Sequence, residues 1–171
     1  MTSNFPPMLL RLLTALAAVV CFVSPASGED TPAPEPAGAR WYLQTSYYTK
    51  HFHSDPAHNN HQHLVNLERI GADNALVGGA FFYNSFDQPT EYVYVGKLWR
   101  PFDRAPLVHF KLTGGLIHGY KQDYRDKIPY NQRGIAPAIL PAIGISGKNF
   151  ATEAVFFGIA GVMLTAGFYW Q

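Results

Sequence analysis

The chain has 171 residues, 13 basic and 12 acidic side chains, a formal net charge of +1 and one cysteine. That balance lacks the basic excess of a nucleic-acid binder, one cysteine excludes an internal disulfide framework, and the length suits one domain.

Residues 1–28 read as an export signal. Arg11 is their only charge, an apolar run over 12–23 follows it, and Ala26-Ser27-Gly28 offers small residues for cleavage. The run is too short to cross a bilayer comfortably. Losing the segment removes Cys21 and Arg11 and leaves acidic and basic side chains in equal number. Residues 29–39 (EDTPAPEPAGA) are rich in Pro and Ala and read as a flexible or extended lead-in.

The rest, residues 40–171, is a succession of short alternating segments. Residues 40–50 put Tyr42, Gln44, Ser46 and Tyr48 on one face and Trp41, Leu43 and Tyr47 on the other. A polar loop over 51–62 leads to a second strand over 63–70, a tight turn at 71–74 and a third strand over 75–83. A loop over 84–89 leads to a fourth strand over 90–99. Two prolines turn the chain within 100–106. The fifth strand, 107–117, sets His109, Lys111 and Thr113 opposite Val108, Phe110 and Leu112. After the longest loop, 119–134, come a sixth strand over 135–145, a turn at 146–149 and a seventh strand over 150–157. The eighth, from Gly161, places Val162, Leu164, Ala166, Phe168 and Trp170 on one side and Met163, Thr165, Gly167 and Tyr169 on the other.

Eight strands of this kind predict an all-β fold, an eight-stranded antiparallel transmembrane β-barrel of the outer membrane of a Gram-negative bacterium, reached after export. A soluble periplasmic sandwich or lipocalin-like barrel is the rival. Trp41, Trp99, Phe168 and Trp170 near strand ends favour the membrane, where aromatic side chains form interfacial girdles. With both strand-bundle ends in the periplasm, the loops at 51–62, 84–89 and 119–134 face outward, and His51 and Ser85 share a rim.

A barrel of this size is too narrow for a porin channel, so its interior is a polar plug or a pocket for one ligand. The sixth strand offers Ala136, Ala138, Leu140, Ala142 and Gly144 inward, and the third offers Gly78 and Ala80 beside Phe82. Such a surface suits a hydrocarbon chain; equally, small residues make room for large neighbours. Pro137 and Pro141 fall on the outward parity of the sixth strand. Each removes a ladder N–H, which implies a gap in the wall, through which a lipid could pass, or a local bulge.

Five histidines, His51, His53, His58, His61 and His63, crowd one loop and its flank. A histidine beside a serine can act as general base in acyl transfer. Histidines two apart can bind zinc or copper, but no acidic or cysteine partner stands at fixed spacing, and no metal or cofactor is expected. A solvated polar loop is the plain alternative. His118, at the outer end of the fifth strand, is a rival base. Ser85, after Asn84 at a loop start, is by position alone a turn residue.

The run from Asn84-Ser85-Phe86-Asp87 through Trp99-Arg100-Pro101 resembles the lipid A palmitoyltransferases (PagP family) of the Gram-negative outer membrane. Ser85 matches the serine of that family's Asp-Ser pair, Asn84 stands where the aspartate would be, and His51 is the best match for the histidine that ends its first strand. Ile139-Leu140-Pro141 resembles the family's Leu-Leu-Pro, whose proline marks a lateral lipid entrance.

The resemblance implies transfer of a palmitoyl chain from a phospholipid donor to lipid A by a monomer in the outer membrane. His51 would accept the proton of the attacking hydroxyl, Ser85 would position or attack the ester, and Asn84 would hydrogen-bond the developing oxyanion. The interior would measure the chain, with Tyr94 or Gly96 as its floor. Lys121, Arg125 and Lys127, with Arg133, would suit the phosphates of lipid A. The alternatives are a non-enzymatic small barrel for adhesion, stability or ligand binding, and a lipid A deacylase.

Overall fold

The computed structural model describes residues 38–53, 58–59 and 62–171. The export signal expected over 1–28, most of the lead-in and His61 lie outside the described residues.

Eight strands form a closed antiparallel barrel: β1 Arg40–His51, β2 Val65–Ile70, β3 Ala75–Tyr83, β4 Pro89–Trp99, β5 Val108–His118, β6 Ile135–Ser146, β7 Phe150–Phe156 and β8 Gly161–Trp170. Each strand pairs with its sequence neighbours, and β1 closes on β8 from Trp41↔Trp170 to His51↔Gly161. All eight segments expected from the alternation are strands, with ends shifted by one or two residues. The longest loop carries a short 3-10 helix at Gln122–Lys127, which no alternation marks.

The alternation sorts side chains between solvents. Along β4, Val93 is 66% exposed and its neighbour Tyr94 5%. Val65, Leu67, Val77, Val95, Leu116 and Ile139 also stand on the outer face. This is the surface of a transmembrane barrel: the strands close into one wall, and the outward band is apolar. Trp41 stacks on Trp170 at 6.4 Å, and with Trp99, Phe110 and Phe168 they ring the end where the described strands start and finish. Tyr83 stands at the other, upper end, and Tyr47 and Tyr48 are exposed at mid-height of β1.

One face assignment is corrected. Tyr48, expected on the side of Tyr42, is exposed, because the β1–β8 register shifts between Ser46 and Tyr48. A bulge adds a residue and exchanges the faces of everything after it. Below it Arg40, Tyr42 and Gln44 point inward; above it Thr49 and His51 do.

The interior is both a plug and a pocket, one above the other. In the lower half, Lys111 Nζ lies 2.8 Å from Glu68 Oε1 and 2.7 Å from Glu153 Oε2, and His109 Nε2 lies 3.0 Å from Glu153 Oε1. Gln44 Nε2 donates to Glu153 Oε2 and Thr165 Oγ1, Asn66 Nδ2 donates to Gln44 Oε1, and the Tyr94 hydroxyl reaches Asn66 Oδ1 at 2.6 Å and Glu68 Oε1 at 2.9 Å. Charges buried this deeply persist only when paired and hydrogen-bonded. Above the plug lies the pocket.

Two ladders stop short at the upper end. The β1–β2 ladder ends at Thr45↔Val65. Side chains close that gap: Thr45 Oγ1 donates to the Leu64 carbonyl at 2.8 Å, and Ser46 Oγ donates to the Gln62 carbonyl while accepting from Leu64 N–H at 3.0 Å. The β6–β7 ladder covers only Ala142–Ser146 against Ala151–Val155. Upper β6, which holds Pro137 and Pro141, pairs with β5 alone. The carbonyls of Ala138 and Leu140 there accept from the Tyr92 and Thr113 hydroxyls at 3.2 and 3.3 Å. These carbonyls lie on the β5 side of β6, so the bonds reinforce the β5–β6 seam, while the backbone groups of Pro137, Ile139 and Pro141 face the side where the β7 ladder is missing.

Candidate active site

A cavity of about 660 Å3 fills the upper half of the barrel. Its waist is apolar, with Ala80, Phe82, Ile117, Ala138 and Leu140, and Tyr94, Glu68 and Lys111 lie at its base. Pro137 and Ile139 of β6 line it together with Val155, Phe157 and Ile159. Ile139 and Ile159 are outward residues, 70% and 86% exposed, so the cavity reaches the lipid-facing surface where the β6–β7 ladder is missing.

His51 and Ser85 meet at the mouth of this cavity. His51 Nε2 lies 2.6 Å from Ser85 Oγ, across 34 positions of sequence. The bulge in β1 turns His51 inward, and the ring is only 5% exposed. It packs against His58 at 4.4 Å and against the edge of Phe157 at 5.5 Å. Those contacts fix its rotamer, a requirement for a base that must meet one hydroxyl.

Ser85 is placed by its neighbour. Asn84 Oδ1 accepts from the Phe86 and Gln88 backbone N–H groups at 2.9 and 3.1 Å, and Asn84 N–H donates to the Gln88 carbonyl at 2.9 Å. This is the Asx geometry that lets asparagine close a turn. It corrects the expected role of Asn84. The side chain is fully buried in the turn and does not line the cavity, so it has no access to an oxyanion there. Its Nδ2 has no hydrogen-bond partner among the described residues.

Two residues at the site escaped the sequence reading. Gln62 is buried, and its Nε2 donates to Ser85 Oγ at 3.3 Å. Tyr120, just past β5, also lines the cavity and stands beside Ser85. Burial pushes the Tyr120 phenol up from its ordinary value, with the Ser85 hydroxyl working in the other direction. Its hydroxyl therefore stays protonated and can donate. Neither residue carries a motif: Gln62 sits among loop histidines, and Tyr120 is one of ten tyrosines.

The remaining expected residues separate. His118 faces Glu91, with Nδ1 3.7 Å from Oε2; its side chain is 42% exposed and does not line the cavity. It is not placed to act on Ser85. Of the two candidate floors, Tyr94 lines the cavity and Gly96 does not; a Cβ at Gly96 would meet the Leu112 carbonyl instead. Pro137 lines the cavity, whereas Pro141 stands on the outward face of β6. Lys127 reaches the cavity mouth and sits 5.8 Å over the Phe86 ring. Lys121 and Arg125 are exposed on the same loop, where Lys121 exchanges backbone hydrogen bonds with the Gln88 side chain. Tyr124 stacks on Phe86 at 4.2 Å, which seats the 3-10 helix against the Ser85 turn.

No family model and no curated protein sequence matches the chain. Among solved structures it is similar to a de novo designed transmembrane β-barrel, at 12% identity and a TM-score of 0.48, over 81% of this chain and 98% of that one. It is also similar to the attachment invasion locus protein Ail of Yersinia pestis. The crystal structure of Ail with the heparin analogue sucrose octasulfate matches at 16% identity and a TM-score of 0.44, over 79% of this chain and all of Ail (100%). Ail in a phospholipid bilayer nanodisc matches at 14% identity and the same TM-score of 0.44.

Proposed function

We propose that this protein is an outer-membrane acyltransferase that moves a palmitoyl chain from a phospholipid to lipid A. One observation carries the reading: a base and a hydroxyl 2.6 Å apart at the mouth of a largely apolar cavity in a lipid-facing barrel. The resemblance of Asn84–Asp87 and Trp99–Pro101 to the lipid A palmitoyltransferases supports it independently.

In this reading the phospholipid enters between upper β6 and β7, where the proline-bearing stretch has no β7 partner. Its acyl tail lies along Ala138, Leu140 and Phe82, with the tail end toward Tyr94. His51 Nε2 takes the proton of Ser85 Oγ as the new C–O bond forms at the ester carbonyl. The tetrahedral centre then collapses, the bond to the glycerol oxygen breaks, and His51 returns the proton to that oxygen. A lipid A hydroxyl then attacks the acyl-Ser85 ester, its proton passing to His51; the bond to Ser85 Oγ breaks and His51 returns the proton to that oxygen, all without a cofactor. Lys127, with Lys121 and Arg125 on the same loop, would meet the phosphates of the acceptor.

The test is direct. The full chain is expressed in a Gram-negative host and its lipid A is weighed by mass spectrometry. A gain of one palmitoyl mass supports the reading. Loss of an acyl chain would mean a deacylase, and unchanged lipid A from a correctly inserted barrel would mean a non-enzymatic one.

A further inference from the structure

Three groups converge on one serine oxygen, and one of them, the Gln62 amide, can only donate to it. Ser85 Oγ has His51 Nε2 at 2.6 Å and Gln62 Nε2 at 3.3 Å, with Tyr120 beside it. A serine hydroxyl donates one hydrogen bond and accepts two. The Gln62 amide nitrogen can only donate. An oxygen that accepts from Gln62 on one side is free to spend its own hydrogen on His51, as O–H donated to an unprotonated Nε2.

We propose that Gln62 is a catalytic residue: its amide N–H holds Ser85 Oγ as acceptor on one side, commits the hydroxyl proton to His51 on the other, and so makes Ser85 a nucleophile toward ester and phosphonyl centres. The inference rests on reading His51 and Ser85 as the reacting pair.

The placement of Gln62 is built for this. Its backbone carbonyl is held by Ser46 Oγ, and Ser46 lies at the β1 bulge that also turns His51 inward. One irregularity therefore delivers the base and anchors the segment that brings the donor. Gln62 is 7% exposed, and a buried amide donor beside a developing negative charge is the kind of group that stabilises it without reorganisation. Asn84, whose sequence position suggested that role, is buried in the turn and does not line the cavity.

When Ser85 attacks an electrophile, the O–C or O–P bond forms, the hydroxyl proton passes to His51 Nε2, and the leaving group departs with the electron pair of its bond. With an alkyl fluorophosphonate the leaving group is fluoride and the adduct is stable. The probe therefore reads the reactivity of Ser85 without any acceptor lipid.

The full-length wild type, Gln62→Met, Gln62→Glu and Ser85→Ala are folded in detergent, each checked by its gel shift before and after heating. They are then titrated with a long-chain alkyl fluorophosphonate, and the adduct is located by peptide mass spectrometry. Wild type is expected to label at Ser85. Gln62→Met, close in size but without a donor, is expected to label about 100-fold more slowly at saturating probe, with the half-saturating concentration unchanged. Gln62→Glu keeps the shape but replaces the donor by an acceptor that competes for the serine proton, and is expected to lose at least as much. If either variant fails to fold, the other decides. Labelling of a folded Gln62 variant at the wild-type rate, or no labelling of wild type at Ser85, overturns the proposal. Labelling that depends on Gln62 in a protein that leaves lipid A unchanged keeps the proposal and removes the palmitoyltransferase reading.

Discussion

His51 Nε2 and Ser85 Oγ stand 2.6 Å apart because a single extra residue in β1 reverses the face on which His51 would otherwise lie. Counted from Tyr42 and Gln44, odd positions point to lipid. The shift between Ser46 and Tyr48 returns Thr49 and His51 to the interior.

His51→Ala and Ser85→Ala are each expected to lower palmitoyl transfer by at least about 100-fold, the scale of a lost general base or its partner. His118→Ala is expected to retain it, since that ring faces Glu91 away from the cavity. Lipid A mass spectra from cells expressing each variant make the comparison; activity that survives in His51→Ala and dies in His118→Ala would reverse the assignment.

Deleting Tyr47 removes the bulge residue and restores strict alternation. Tyr47 is an exposed surface side chain, and without it Tyr48–His51 keep their register against Leu164–Gly161, so Thr49 and His51 still point inward. The expected result is a folded, heat-shifting protein that still labels at Ser85. Inserting one residue between Tyr48 and Thr49 instead returns His51 to the lipid face, and transfer and labelling should be lost; full activity in the insertion would show that the phase of β1 does not set the site.

Lys111→Met leaves Glu68 and Glu153 buried without their shared cation. Breaking a buried pair from one side costs about 3–5 kcal/mol. Urea unfolding in lipid vesicles should show that loss, and Lys111→Met combined with Glu68→Gln and Glu153→Gln should recover most of it. A single Lys111→Met with wild-type stability would mean that water reaches the plug.

Replacing Pro137 and Pro141 by Val supplies N–H groups where upper β6 has none and lets its ladder to β7 extend past Ala142. Transfer from phospholipids in a bilayer should fall several-fold, while labelling by a small fluorophosphonate that enters from the open mouth should not. An equal fall in both would argue against a lateral entrance.

Gly78→Ala and Gly96→Ala separate the two candidate floors. A Cβ at Gly78 would come within 2.6 Å of the Tyr94 ring and must move it, so the preferred acyl length should change. A Cβ at Gly96 would clash with the Leu112 backbone carbonyl, which predicts lower stability with chain length unchanged. Mass spectra of the product lipid A and thermal unfolding give the two readouts.

Strand identity was legible because a barrel wall separates two media. Val93 and Tyr94 must differ, as must Ile139 and Leu140, and that difference repeats with the period of the pleat. The inward set on β5, His109, Lys111 and Thr113, was legible for the same reason. Its partners were not: Glu68 and Glu153 come from β2 and β7, and nothing local in either segment says that both meet Lys111. Ser85 and His51 were reached by resemblance, whereas Gln62 and Tyr120 have no signature in a loop and at a strand end.

The sequence by itself therefore determined the number of strands, their order and, away from the bulge, which side chains face lipid, because periodic burial is written residue by residue. The tertiary structure alone decided the placement of the chemistry. A one-residue bulge is a break in phase that costs little locally yet exchanges two faces. The Ser85 cluster and the Lys111 plug each join residues from several strands, whose meeting depends on how the sheet closes rather than on any one segment's pattern.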